Sequence, residues 1–149
     1  MIEAVGLQSA ALLADLHARA FDKPWSEAEL AKIMDNPAVF ALLASDTAPQ
    51  GFVLAWAAAG DAEVLTVAVV PEARRKGLGA SLVTAAGVTA LLRGAAQMHL
   101  EVDENNAAAR ALYLRLGYEE AGRRCAYYAG EGGAVDAIVM RRALPRPLV

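Results

Sequence analysis

The chain has 149 residues, 56% of them hydrophobic, and a formal net charge of −3. That length suits one domain, residues 1–149, and the apolar content excludes a disordered chain. The acidic balance argues against direct nucleic-acid binding, no apolar run approaches the roughly 20 residues of a membrane span, and no signal peptide is visible.

Ile2–Val5 reads as a short first strand. Ser9–Ala20 reads as an amphipathic helix with Leu12, Leu13, Leu16 and Ala20 on one face. His17 is expected on the surface of this helix. Pro24-Trp25-Ser26 then starts a second helix: Ser26 and Glu29 are spaced as a capping box, and Trp25 can staple onto Leu30. It ends near Asn36-Pro37. Ala38–Ala44 and Phe52–Ala59 read as strands around a turn at 46–51, and a second turn at Gly60-Asp61 leads into a strand from Glu63 to Val70. A helix follows from about Leu78 to Arg93, ended by Gly94. Gln97–Val102 alternates as a strand, with Met98, Leu100 and Val102 on one face and His99 and Glu101 on the other. Asn105 or Asn106 caps a helix to Leu116, closed by Gly117. Tyr118–Ala129 and Val135–Arg142 read as the last strands, joined by Gly130–Gly133. Helices lying between strands imply a mixed α/β sheet covered on both faces.

The most telling stretch is VLTVAVV followed by PEARRKGLGA, from Val64 to Ala80. A strand feeds a loop with three cations, Arg74, Arg75 and Lys76, and two glycines, Gly77 and Gly79, at the start of a helix. Glycines let backbone N–H groups approach a phosphate, and a helix N-terminus adds partial positive charge. The P-loop pattern is absent, and Leu82 stands where a dinucleotide fingerprint needs its third glycine. The register Arg74-x-x-Gly77-x-Gly79 resembles the acetyl-coenzyme A pyrophosphate loop of the GNAT superfamily. The block LEVDENNAAARALYLRLGY from Leu100 to Tyr118, with Pro24-Trp25, Ala68–Pro71 and the ending YYAGEGGAVDAIVM, resembles the RimI branch of that superfamily, whose members acetylate the N-terminal amine of ribosomal protein S18.

That resemblance, which covers nearly the whole chain, implies the GNAT fold: a mixed, mostly antiparallel sheet with helices on both faces and a splayed strand pair at the coenzyme site. It implies acetyl-CoA as co-substrate, with the backbone of Arg75, Lys76, Gly77, Leu78, Gly79 and Ala80 around the pyrophosphate, beside Arg74. It also implies that Val67, Ala68 and Val69 leave N–H groups free for the acetyl oxygen and the pantetheine.

Acyl transfer to an amine needs a base, a stabilised carbonyl oxygen, an acid for the leaving thiolate and two substrates held together. Glu101, at the end of its strand, is the candidate base, matching the family's proposed one, or else a surface carboxylate. A carboxylate of pKa about 4.3 suits an α-amine of about 8 better than a lysine of about 10.4. Asn106, Arg110 and Tyr113 fall at i, i+4 and i+7 on one helix face. Tyr113 is the candidate acid, again as in the family, or a packing tyrosine. Asn106 reads as a helix cap that can also hold the pantetheine.

For the acceptor, the resemblance implies a peptide groove at Phe21, Trp25, Tyr127 and Tyr128; Phe21 and Trp25 read equally as core. Ala129 stands where a proline commonly follows the tyrosine pair. His99 is expected to be a packed strand residue and Cys125 a small core residue. One cysteine permits no internal disulfide, which fits a reduced cytoplasmic setting. No metal-ligand spacing is found, so no metal is expected. The implied acceptor is a ribosomal protein N-terminus, and the chain is expected to be a monomer or weak dimer. Two other readings stay open: acetylation of a small-molecule amine or amino acid, and a non-catalytic module that senses coenzyme A or binds a partner.

Overall fold

The computed structural model describes the backbone of residues 1–130 and 133–145, and the side chains of residues 1–125 and 135–145. Seven strands form one sheet: β1 (Ile2–Val5), β2 (Val39–Ser45), β3 (Pro49–Ala58), β4 (Asp61–Val69), β5 (Gln97–Asp103), β6 (Glu119–Gly130) and β7 (Gly133–Ala143). Their spatial order is β1-β2-β3-β4-β5-β7-β6. Every neighbouring pair is antiparallel except β4 and β5, which are parallel. Among the described residues four α-helices cover the sheet: α1 (Ala10–Ala20), α2 (Glu27–Met34), α3 (Leu78–Leu92) and α4 (Ala107–Arg115). The mixed sheet and the element order expected from sequence are both present. The main boundary differences are β3, which starts three residues earlier, at Pro49, and β4, which starts two earlier, at Asp61. A tight turn at Ala59 and Gly60, both at positive φ, joins Ala58 to Asp61 and lengthens the ladder.

The sheet separates two cores. One lies under α1 and α2 and contains Leu13, Leu16, Leu30, Phe52, Leu54 and Ala68. The other lies under α3 and contains Leu82, Val83, Ala86, Met98, Leu100 and Met140, with Tyr113 of α4 packed against it. The apolar residues of α3 let it bury a broad surface against the sheet. The shorter α2 relies on its start: Ser26 Oγ accepts from the Glu29 N–H at 3.1 Å, and Glu29 Oε1 accepts from the Ser26 N–H at 3.2 Å. This is the expected capping box.

The feature that positions the site is where β4 and β5 stop pairing. Their ladder covers Asp61–Gln97, Ala62–Met98 and Glu63–His99 only. Beyond it, β4 stays bonded to β3 as far as Val69, and β5 to β7 as far as Asp103. The facing edges of the two strands therefore separate while each keeps its outer neighbour. A bulge lies just past the last parallel pair. Leu54 opposes Thr66 and Ala55 opposes Val64, so Leu65 has no opposite residue on β3. An extra residue bends and twists a strand. It also reverses which side chains face which core: Ala62 and Val64 point to the α3 core, and after the bulge Val67 takes that direction. At the far end, Gly51 lies opposite Val69, and a Cβ there would sit 2.5 Å from the Ala68 carbonyl oxygen. Glycine is needed for the two backbones to come this close.

Candidate active site

A cleft of about 980 Å³ occupies the separation. Its walls are the bulged half of β4, the loop into α3, the end of β5, one face of α4 and the link between α1 and α2.

The loop is shaped by two residues with positive φ, Arg75 at 65° and Gly77 at 76°. Nothing lies within 4 Å of a Cβ placed on Gly77, so its requirement is conformational rather than steric. The first helical bond of α3 runs from the Ser81 N–H to the Gly77 carbonyl. The N–H groups of Leu78, Gly79 and Ala80 thus have no intrahelical acceptor, and all three residues line the cleft. Donors of this kind, at the positive end of a long helix, favour an anion. Arg75 lines the cleft beside them, whereas Lys76 is exposed and outside the lining. Arg74 is tethered: Nε donates to the Val69 carbonyl at 3.1 Å and Nη2 to the Ala20 carbonyl at 3.2 Å. Its side chain ties the end of β4 to the end of α1. Of the β4 residues, Val67 and Val69 face the cleft, and the Ala68 side chain is buried on the α1 side.

Glu101 and Tyr113 reach the cleft from opposite faces of the sheet. Met98, Leu100 and Val102 point into the α3 core, which turns Glu101 toward the α1–α2 face. Its side chain is 18% exposed, and Arg124 Nη1 donates to Oε1 at 2.7 Å. His99 shares that face but pairs with Asp61 at 3.0 Å. Tyr113 stands on α4, packed edge-on against Tyr118 at 6.0 Å between ring centroids, and burial pushes its phenol above the usual 10. Asn106 caps α4: its Oδ1 accepts from the Ala109 N–H at 3.1 Å, which leaves the amide nitrogen as the end that can serve a ligand. Arg110 shares the helix with Tyr113, yet it bonds the Glu104 carbonyl and Glu120 and does not line the cleft.

Of the residues expected to hold the acceptor, Phe21 and Trp25 line the cleft, and Phe21 is 41% exposed. Tyr127 and Tyr128 lie on β6, but their side chains fall outside the described residues.

Two sequence expectations are corrected. Cys125 is exposed rather than in the core. His17 is not on the surface: it is 3% exposed and lines the cleft. It stacks on Phe21 at 4.3 Å and on Trp25 at 5.1 Å. Burial pushes its pKa below 6.5, with Glu29 pulling weakly the other way. The signal was present, since Ala10, Leu13 and His17 follow one helix face at i, i+3 and i+7. The residue type obscured it. Leu65, Thr66 and Asp103 also line the cleft. No cluster of three or more metal-binding side chains occurs among the described residues, and no helix among them is long and apolar enough to cross a membrane.

A sheet parted between two parallel strands, with a helix N-terminus at the gap, makes a cleft suited to a phosphate-bearing ligand. The Acetyltransferase (GNAT) family model matches residues 10–118, so the chain belongs to the GNAT acetyltransferase family. Among individual proteins, it is 36% identical over 127 residues to the [ribosomal protein bS18]-alanine N-acetyltransferase of Escherichia coli K12, covering 85% of this chain and 84% of that protein. The crystal structure of the Escherichia coli ribosomal-protein-S18-alanine N-acetyltransferase superposes with a TM-score of 0.91 and 29% identity, over 99% of this chain and 96% of that one. The yncA protein of Salmonella typhimurium, solved with acetyl-CoA, shares the fold at a TM-score of 0.82 and 18% identity, over 100% of this chain and 96% of that one. The mycothiol acetyltransferase of Salinispora tropica is 41% identical over 69% of this chain, but only 39% of that protein is covered.

Proposed function

We propose that the chain acetylates the N-terminal α-amine of a ribosomal protein resembling S18, by direct attack of the amine on acetyl-CoA. The observation that carries this reading is the parted β4–β5 pair, which lets Glu101 and Tyr113 address one cleft from opposite faces of the sheet. The likeness to the S18-alanine enzymes, which extends over most of the chain, supports the choice of acceptor.

The cleft fits acetyl-CoA by its donors. The N–H groups of Leu78, Gly79 and Ala80, with Arg75, suit a pyrophosphate, and the free edge of β4 at Val67–Val69 suits an amide-bearing arm. The bound coenzyme would supply the acetyl group as a thioester, already activated. Glu101 would take the proton from the incoming ammonium, directly or through a water, while Arg124 holds its carboxylate in place. Tyr113, kept protonated by burial, would hold the proton the leaving thiolate needs. Backbone N–H groups on the free edge of β4 would face the developing oxyanion, where they need no reorganisation. Phe21 and Trp25, with Tyr127 and Tyr128, would wall the acceptor's first residues.

The test is thiol release from acetyl-CoA with a peptide carrying the first residues of S18, beside peptides with other N-termini and a panel of small amines. Release with the S18 peptide above the others supports the reading. Release only with other peptides overturns the acceptor. Release only with amines favours the small-molecule reading, for which the partial likeness to a mycothiol acetyltransferase speaks. Tight acetyl-CoA binding without turnover of any amine would favour a sensing module.

A further inference from the structure

His17 is a buried imidazole that the chemistry above leaves unused, and both of its ring nitrogens are engaged. The Trp25 backbone N–H points at Nδ1 at 3.1 Å. A backbone N–H can only donate, so Nδ1 must be an acceptor and the ring proton must sit on Nε2. Nε2 is 3.2 Å from Thr66 Oγ1, and it therefore donates to that hydroxyl. These two bonds join elements with different duties. Trp25 precedes the cap of α2 and walls the acceptor side, whereas Thr66 adjoins the bulge of β4, next to the free edge at Val67. Phe21 and Trp25 both stack on the ring, at interplanar angles of 24° and 15°.

We propose that His17 is a positioning residue that couples the acceptor wall to the coenzyme strand, in its neutral Nε2–H form only. A second proton would have to go on Nδ1, where it would meet the Trp25 N–H head on. The Trp25 bond would break and the α1–α2 link would loosen, while the anion loop before α3, whose shape rests on Arg75 and Gly77, would stay formed. The charged groups around the ring are few. Glu29 of α2 favours the protonated form, and burial opposes it more strongly. Lys23 and Glu101 line the same cleft, and Arg74 holds the Ala20 carbonyl one turn further on. Thr66 of β4 and Phe52 of β3 bring no charge.

The inference rests on the reading that Phe21 and Trp25 wall the acceptor site, and it separates from the choice of acceptor because two of its measurements need no turnover. In the wild-type protein, two-bond ¹H–¹⁵N spectra should show His17 as the Nε2–H tautomer at neutral pH. Below pH 6.5, Trp25 fluorescence, read in a Trp56→Phe background, should change in step with protonation of that ring. With any accepted amine, the acceptor KM should rise at least several-fold across the same titration while the KM for acetyl-CoA stays level. His17→Asn keeps an acceptor for the Trp25 N–H and cannot titrate, so its acceptor KM should lose the acid-side change. His17→Phe keeps the stack, lacks both bonds, and should show a raised acceptor KM at every pH. An Nδ1–H tautomer, or an acid-side rise in acceptor KM that persists in His17→Asn, would overturn the proposal. Where a variant does not fold, the wild-type spectra decide.

Discussion

Under the proposed function, the donor side and the acceptor side of the cleft are built from different materials. The donor side is largely backbone: the free edge of β4, the N–H groups that open α3, and a loop bent by Arg75 and Gly77. The acceptor side is largely side chains: Phe21, Trp25 and the His17 ring they stack on, brought together from α1 and the loop after it and tied to β4 through Thr66. Backbone donors are fixed by strand register and helix start, so any sequence that forms the elements provides them. A side-chain wall depends on each residue that lines it. The donor side can therefore be shared across a family while the acceptor side varies, and damage to the two should read out in different constants.

The sharpest break in that comparison is chemical and spares both walls. Glu101→Gln should lower kcat by about 10²–10⁴-fold, as expected for loss of a general base, with little change in either KM. If kcat is preserved, Glu101 is a structural partner of Arg124 and not the base. Tyr113→Phe should follow at about 10²-fold, at the lower end of the same range. Because burial raises the Tyr113 pKa above 10, its phenol stays protonated throughout the neutral range, and the wild-type rate should show no tyrosine-dependent decline below pH 10. A tyrosine-dependent decline centred at or below pH 10 would show that burial does not raise this phenol.

Gly77→Ala probes the donor wall. A left-handed conformation costs an alanine about 1–2 kcal/mol, and no neighbouring atom obstructs the methyl group. The expected result is a rise of about 5–30-fold in the KM for acetyl-CoA with the acceptor KM unchanged. Equal rises in both constants would show that the two walls are coupled through the loop. The smallest effect belongs to Ser26→Ala, which removes the cap of α2 and should cost about 1 kcal/mol of stability. Calorimetry would measure this as a fall in Tm of a few degrees, with the KM for acetyl-CoA unmoved.

His17 adds a pH dimension to stability. Its pKa is lowered in the folded protein, so its contribution is complete above the unfolded value near 6.5 and is lost as pH falls through the folded value. Urea unfolding of the wild type should show this acid-side loss, and His17→Asn should not.

Much of the fold was legible in the sequence because its elements carry local signals. The capping box at Ser26 and Glu29, the alternation of Met98, Leu100 and Val102, and the glycines that end α3 and α4 each act within a few residues. The donor loop was legible for the same reason, since strand, glycines and helix start follow one another directly. Three things were not. The bulge at Leu65 is invisible in a strand whose residues all suit a strand, because it is defined by what β3 places opposite. The Arg74 side chain, one of three adjacent cations, is held by two carbonyls from elsewhere in the chain. The His17 environment joins residues 8 and 49 positions away, and a polar residue type hid a core position.

The sequence alone thus determined the elements, the anion loop and the residue types able to carry acyl transfer, because periodicity, capping and turn chemistry are short-range. Only the tertiary structure decided that the β4–β5 ladder stops at Glu63 and His99, and that Glu101 and Tyr113 line the same cleft. It also decided that a histidine joins the two walls. Those outcomes depend on which strand end lies beside which, and no local run of residues encodes that.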